Sequence, residues 1–416
     1  MTEKKTILLT TINQSKELPL ALYYLKAYAY KFEDIKNNYE ITIQDFQKKD
    51  TSLKDIIQTI ISIKPQIIGF SCYIWNIKEI LEVCVEIKKH CKKTSVWLGG
   101  PDVSEEYLHQ EGVDLIIFGE GEETFYELLD YSLKDKDIKK IKGVAYKKEN
   151  EIYKNPSREL INDIDTIPSP FLTGIADLKT LKKYDYLLFE TRRGCTFKCA
   201  FCKESVKSNI IRYFSLERLE KEFDFLLKNN LFIEIIDPFL NTSKDRLIKI
   251  CKIIEKRNKN NIVWVPLIYN ILNEETVLAL KKANMNRVEI GLQSTNLETL
   301  KNINKPINLE LFKEKILLFD DYFTVHIDLI IGLPGDDFFK FVETLKFTSS
   351  LNKKILIELL SVDNNTPLRN NAKKFKMTFQ KEAPYHIIAN HSFSENEVKK
   401  ALIMSKSFMK EYAIDL

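Results

Sequence analysis

Over the first ~150 residues, short apolar runs alternate with stretches whose apolar positions recur every three or four residues, the mark of parallel α/β units. Ile7–Ile12 reads as a strand and Leu18–Tyr30 as a helix; Ile41–Ile43 reads as a short strand, and Leu53–Ile63 as a helix stopped by Pro65. Ile67–Cys72 is the next strand, followed by helical spacing over Ile77–Cys91. Val96–Leu98 runs into Gly99-Gly100-Pro101, and Leu115–Phe118 into Gly119-Glu120-Gly121, which opens a helix over Thr124–Leu133. Val144–Tyr146 and Glu151–Tyr153, parted by a polar turn, suggest a hairpin. Five strands with intervening helices imply an open, doubly wound Rossmann-like sheet, whose ligands lie beyond the C-terminal ends of the strands.

A second alternating series follows a proline-bearing stretch containing Pro156, Pro168 and Pro170. Its strands are expected near 186–189, 232–236, 262–266, 287–291, 326–331 and 355–360. Six βα units are fewer than the eight of a closed barrel, so a partial (β/α)6 barrel is expected. The expected α/β organisation is a Rossmann-like domain over 1–154, a linker over 155–180, the partial barrel over 181–372 and a small helical C-terminal extension over 373–416.

Size and composition sharpen this picture. At 416 residues the chain exceeds one ordinary domain. A net charge of +4 with 29% charged residues gives no concentrated basic face, which argues against nucleic acid as a partner. No stretch approaches the ~20 apolar residues that span a bilayer, so no membrane partner is expected. Seven cysteines, three of them crowded between 195 and 202, do not suit a secreted disulfide scaffold and point to a reducing, cytoplasmic compartment.

The chemistry concentrates in Glu190-Thr-Arg-Arg-Gly-Cys195-Thr-Phe-Lys-Cys199-Ala-Phe-Cys202, directly after an apolar strand, where the catalytic loops of a barrel lie. Gly194 permits a tight turn at the strand end. Three soft thiolates in one loop can grip three irons of a cubane, with Arg192 and Arg193 favouring the thiolate forms. Zinc would want a fourth ligand, and a Cys3His site with His326 brought near by folding is one alternative. Three buried structural thiols are the plain alternative.

With Phe201 before the last cysteine, this segment resembles the signature of the radical S-adenosylmethionine (SAM) superfamily. The resemblance implies a 4Fe–4S cluster on Cys195, Cys199 and Cys202, with one iron left to chelate SAM and cleave it to a 5′-deoxyadenosyl radical. It further implies SAM contacts from Phe201, from Asp237 after the second barrel strand, from Glu289, Gln293 and Ser294 in Glu-Ile-Gly-Leu-Gln-Ser, and from Gly332 in Asp328-Leu-Ile-Ile-Gly-Leu-Pro-Gly. Asp237 stands where the usual Gly-Gly-Glu is missing. An electron donor such as flavodoxin or ferredoxin, and a small-molecule or peptide substrate, are the implied partners.

The first domain resembles the cobalamin-binding domain of the B12-dependent subgroup through Gly69-Phe-Ser-Cys-Tyr-Ile-Trp75, Leu98-Gly-Gly-Pro-Asp102 and Gly119-Glu-Gly-Glu-Glu-Thr-Phe125. Ser71, Cys72, Gly99, Gly100, Gly119 and Glu120 are the implied cobalamin contacts. The Asp-x-His-x-x-Gly motif of many cobalamin proteins is absent; Asn13-Gln-Ser-Lys-Glu17 takes its place. The implied activity is methyl transfer to an unactivated carbon. The alternatives are a cobalamin-free radical enzyme, such as a peptide epimerase using Cys72 as hydrogen donor, and a non-catalytic cluster sensor. Cys84, Cys91 and Cys251 fall in helical patterns and are expected to pack.

Overall fold

The computed structural model describes residues 4–134, 136–149, 151–207, 209–259 and 263–411. The chain divides into two compact units, Met1–Leu188 and Phe189–Leu416.

The first unit is built on seven strands: β1 (Lys5–Asn13), β2 (Tyr39–Gln47), β3 (Ile67–Ser71), β4 (Ser95–Gly99), β5 (Leu115–Ile117), β6 (Val144–Lys148) and β7 (Glu151–Lys154). Their order is β2-β1-β3-β4-β5-β6-β7, parallel through β5 and antiparallel at β6 and β7. The chain reverses direction across the sheet between β1 and β3, and the crevice beyond that switch point is where open α/β sheets take ligands. β1 is buried along Ile7–Asn13, as a strand covered on both faces must be. β2 is nine residues long where only Ile41–Ile43 was apolar enough to read, because an edge strand needs apolar residues on one face alone. Local chemistry sets the helix ends. In Leu53–Ile63, Ser52 Oγ accepts from Asp55 N, and Lys64 turns left-handed (φ 50°) before Pro65.

The stretch after β7 packs back onto this unit. Ile161 N donates to Glu120 Oε2 at 2.9 Å, Tyr184 Oη to Asp45 Oδ1 at 2.8 Å and Tyr186 Oη to Glu17 Oε2 at 2.6 Å. Ser15 Oγ also donates to Glu17 Oε2 and lies 2.8 Å from Tyr186 Oη, so the loop after β1 is tied down by its own side chains.

The second unit holds β8 (Leu187–Phe189), β9 (Arg192–Arg193), β10 (Arg212–Tyr213), β11 (Ile233–Ile235), β12 (Val263–Leu267), β13 (Arg287–Gln293), β14 (Thr324–Ile331), β15 (Lys354–Leu359), β16 (Thr378–Phe379) and β17 (Ile387–Ala389). Six of these form an open sheet in the order β15-β14-β13-β12-β11-β8, the partial barrel expected from the spacing. Along β13 the fully buried Val288, Ile290 and Leu292 alternate with Glu289, Gly291 and Gln293, so one face packs outward and the other lines the interior.

Only Glu395–Glu411 of the C-terminal segment is a long helix. Before it, β16 and β17 pair antiparallel, and Ser361 bridges His386. The expectation of a wholly helical extension missed this hairpin, whose strands are too short to show an alternation. Among the described residues, no helix is long and apolar enough to cross a membrane.

Candidate active site

The cysteines sit in a loop that leaves the C-terminal end of β8 and is closed at its base by a two-residue ladder, Arg193 opposite Arg212 and Arg192 opposite Tyr213. Gly194 begins it with φ +94°, and a Cβ there would stand 2.2 Å from Ile210 O, so the two flanks of the loop meet only because residue 194 has no side chain.

Beneath the loop lies a polar bracket. Asp237 Oδ1 accepts from Thr191 N at 2.8 Å and Arg192 N at 3.3 Å, while Oδ2 accepts from Thr191 Oγ1. Arg192, 1% exposed, donates from Nε and Nη2 to Phe239 O (3.0 and 2.6 Å) and from Nη1 to Gly194 O. Its guanidinium lies 4.2 Å from the centroid of the Phe239 ring, which meets Phe197 of the loop at 5.3 Å. Burial pushes Asp237 up to about 6 against the hydrogen bonds that favour its charge. The loop is stitched on its other side as well: Ala200 N donates to Ile303 O, Leu368 N to Ala200 O, both at 2.8 Å, and Asn304 Nδ2 to Lys198 O at 2.9 Å.

The stitch to 303–304 brings in a residue that sequence reasoning missed. Lys305 lies close enough to the Cys199, Cys202 and Cys195 thiols to feel their charge, and burial lowers its pKa. Its Nζ donates to Gln293 Oε1. Gly291 leaves room for this pair, since a Cβ there would stand 2.8 Å from Lys305 Nζ. Burial raises the Cys199 and Cys202 thiols, and the Lys305 charge pulls Cys199 back down. Cys195 is 7% exposed, and Cys199, Phe201 and Cys202 are half-buried.

All seven cysteines are free thiols. Among the described residues no three His, Cys, Asp or Glu side chains are drawn into a closed metal cage. His326 lies on β14, stacked on Trp264 at 5.0 Å, a place that leaves the cysteines as the loop's own donor set. Three soft sulfurs on one braced loop beside a buried cation fit a cubane bound at three corners.

The structure separates the residues expected to meet SAM. Gln293, beside Lys305, is at the level of the thiols. Glu289, further back along β13 beyond the register shift at Gly291–Gln293, hydrogen-bonds Asp328 inside the barrel, and Lys305 acts on that Asp328 as well. Three others have structural duties. Asp237 has both oxygens engaged by the bracket. Ser294, fully buried, donates to Asp336 Oδ1 at 3.2 Å and accepts from Asn296 N at 3.0 Å, bracing the turn after β13. Gly332 is crossed by Ile387, which a Cβ would meet at 2.4 Å, and its carbonyl accepts from Asn390 Nδ2.

In the first unit, Cys72 is fully buried with its thiol raised well above the ordinary value, chiefly by burial. Gly100 exists to clear Cys72 O, 2.5 Å from where its Cβ would be, and Glu120 receives Ile161 N. Ser71, Gly99 and Gly119 remain as small residues at the C-terminal ends of β3, β4 and β5, and a Cβ on Gly119 would meet nothing within 4 Å. Beside them Tyr73 and Trp75 stack at 4.5 Å, and the buried Trp75 Nε1 has no hydrogen-bond partner. An open small-residue edge with a flat aromatic pair and an orphaned donor fits a large planar ligand such as a corrin. Cys84 and Cys251 pack in helices, and Cys91 caps one.

Two family models and several known proteins resemble the chain. Residues 189–348 match the radical SAM superfamily, and residues 10–129 match the B12-binding domain. An uncharacterized methyltransferase of Pyrococcus horikoshii is 28% identical over 352 residues, covering 80% of this chain and 73% of that protein. The cobalamin-dependent radical SAM methyltransferase TokK of Streptomyces tokunonensis is 29% identical over 232 residues, covering 53% of this chain but only 33% of its own length. This chain likewise spans half of the 2-(S-pantetheinyl)-carbapenam-3-carboxylate methyltransferase of Streptantibioticus cattleyicolor. Among solved structures, the fold is shared with the radical SAM methyltransferase TsrM of Kitasatospora setae (TM-score 0.74, 17% identity, covering 89% of this chain and 76% of that one). It is also shared with the cobalamin-dependent radical enzyme OxsB (TM-score 0.75, 19% identity, 99% and 67%).

Proposed function

Because the chain belongs to the radical SAM superfamily and carries a B12-binding domain ahead of its barrel, we propose that it is a cobalamin-dependent methyltransferase acting on an unactivated carbon. The observation that carries this reading is the braced loop that presents three free thiols beside Lys305 and Gln293.

A 4Fe–4S cluster on three cysteines supplies an iron open to SAM and the electron that cleaves it; cobalamin supplies a methyl carrier. The residues of this chain do the rest. Thr191, Arg192 and Asp237 fix the loop backbone, so the thiols are held by a rigid base rather than by their own rotamers. Lys305 places a positive charge beside the sulfurs, where it offsets their negative charge and attracts anionic groups. Gln293 holds the Lys305 ammonium in place. Below them, burial and the neighbouring Glu289 carboxyl push Asp328 well above the ordinary carboxylate range, and the two side chains hydrogen-bond. The reaction needs a one-electron donor protein of the flavodoxin or ferredoxin kind and a small-molecule or peptide substrate.

The test is anaerobic reconstitution with iron, sulfide and hydroxocobalamin, followed by reduction in the presence of SAM carrying a deuterated methyl group. The reading expects a bound corrin spectrum, 5′-deoxyadenosine, S-adenosylhomocysteine and deuterium on the corrin-bound methyl. A folded protein that holds the cluster and cleaves SAM but binds no cobalamin would refute methyl transfer and favour a cobalamin-free radical enzyme. A reduced protein that never cleaves SAM would be a sensor.

A further inference from the structure

We propose that Lys305 is a built-in counter-charge for the cluster, placed to stabilise its reduced state and so to raise its reduction potential; this deepens the enzyme reading above and rests on it. Three locally unfavourable features of the chain converge on the placing of this one ammonium. β13 carries a bulge between Gly291 and Gln293, where its register against β14 shifts by one residue. At the bulge Gln293 adopts φ 65°, a left-handed backbone that an L-residue takes only at a cost. Its amide folds back over Gly291, where a Cβ would stand 2.5 Å from Gln293 Nε2 and 2.8 Å from Lys305 Nζ. A glycine inside a strand weakens it, and here it leaves the place that the amide and the ammonium fill. There Lys305 Nζ donates to Gln293 Oε1.

The other end of the side chain is fixed to the cysteine loop. Lys305 N donates to Leu300 O at 2.9 Å, closing the helix Leu297–Asn302, and the two residues before it carry the stitch to Ala200 and Lys198. Held at both ends, the ammonium acts most strongly on Cys199 and also on Cys202 and Cys195, with Asp328 the carboxyl beside it. Burial and Glu289 push Asp328 well above the ordinary carboxylate range, which makes it a poor counter-ion for the lysine. The cations of the loop itself are engaged elsewhere: Arg192 donates to Phe239 O and Gly194 O, Arg193 to Glu190 and Lys198 to Ser205 O, and Lys203 pairs with Asp363 at 3.9 Å. One electron from the donor protein takes a 4Fe–4S core from the 2+ to the 1+ state, with no bond made or broken, and adds one negative charge beside the thiolates. A fixed cation favours that more negative state. At an effective dielectric of about 20, a unit charge roughly 6–10 Å from the added electron raises the reduced-to-oxidised ratio about 10- to 100-fold.

The test is a redox titration of the reconstituted full-length protein, poised with dithionite and mediator dyes and read by electron paramagnetic resonance, without SAM or cobalamin. Iron is counted per chain, and only fully loaded variants are compared. In Lys305→Met, which removes the charge and keeps an unbranched side chain, the reduced-to-oxidised ratio at the wild-type midpoint is expected to fall about 10- to 100-fold. At about 59 mV per tenfold, that lowers the midpoint by about 60–120 mV. Gly291→Ala keeps the charge but pushes the ammonium away, and should lower the ratio by about 3- to 10-fold. Lys301→Met, on the exposed side of the same helix, removes a solvent-screened charge and should leave the midpoint where it is. A wild-type midpoint in Lys305→Met, or an equal shift in Lys301→Met, overturns the proposal. Where Lys305→Met takes up no iron, Gly291→Ala decides: a wild-type midpoint there overturns the proposal and a lowered one supports it. The potential is read without turnover. A wild-type protein that holds no cluster therefore refutes the function, whereas one that transfers methyl with a midpoint indifferent to Lys305 refutes only the counter-charge.

Discussion

Gly194→Ala tests whether the cysteine loop is held by backbone geometry. Two penalties add at this position. A φ of +94° costs an L-residue roughly 1–2 kcal/mol. A Cβ 2.2 Å from Ile210 O must also displace backbone on one flank, which for overpacking of this kind costs about 1–3 kcal/mol more. Together they amount to about 2–5 kcal/mol, or a fall of roughly 4–20 °C in the melting temperature of a unit this size. Gly119→Ala is the matched control, because its φ is +75° but its Cβ would meet nothing within 4 Å, so only the first penalty applies. The assay is differential scanning calorimetry of both variants, with iron and sulfide counted per chain after reconstitution. Gly194→Ala should lose most of its cluster and Gly119→Ala none. If Gly194→Ala melts like Gly119→Ala and takes up full iron, the contact with Ile210 does not set the loop.

Two buried groups make opposing pH predictions. Asp237, at about 6 in the fold against 3.8 unfolded, keeps its proton more readily when folded. Its contribution to stability is therefore full below about pH 4 and is lost as pH rises through 6, about 3 kcal/mol in all. His326, at about 4 against 6.5, prefers the neutral form when folded; its contribution is full above about pH 6.5 and is lost as pH falls to 4, also about 3 kcal/mol. Urea unfolding of the cluster-free protein should then show steeper acid destabilisation than the wild type in Asp237→Asn and shallower acid destabilisation in His326→Gln. Parallel pH profiles for both variants and the wild type would contradict these assignments.

The fold was legible where burial on both sides left continuous apolar runs. Leu53–Ile63 matched its observed helix to the residue, and the barrel strand at Arg287 began where expected. Edges and short pieces were not legible, because β2 needs only one apolar face and β16–β17 are two and three residues long. The cysteine loop announced itself by spacing. Its surroundings did not: Lys305 reaches the thiols only through the turn at Ile303–Asn304, a contact between segments about a hundred residues apart. Polar residues at strand ends carry bracing that one dimension does not show: Ser294, Glu120 and Asp237 each satisfy backbone or side-chain groups of a neighbouring turn or strand. Loops that carry sites need such braces as much as they need ligands.

The most direct measurement is the electron paramagnetic resonance spectrum of the reduced, anaerobically reconstituted protein, recorded with and without SAM and alongside iron quantitation. An open iron predicts about four irons per chain, an S = 1/2 signal whose g-values shift when SAM is added, and loss of that signal in Cys195→Ala, Cys199→Ala and Cys202→Ala. A signal indifferent to SAM, or a metal that survives removal of any one of these cysteines, would contradict it.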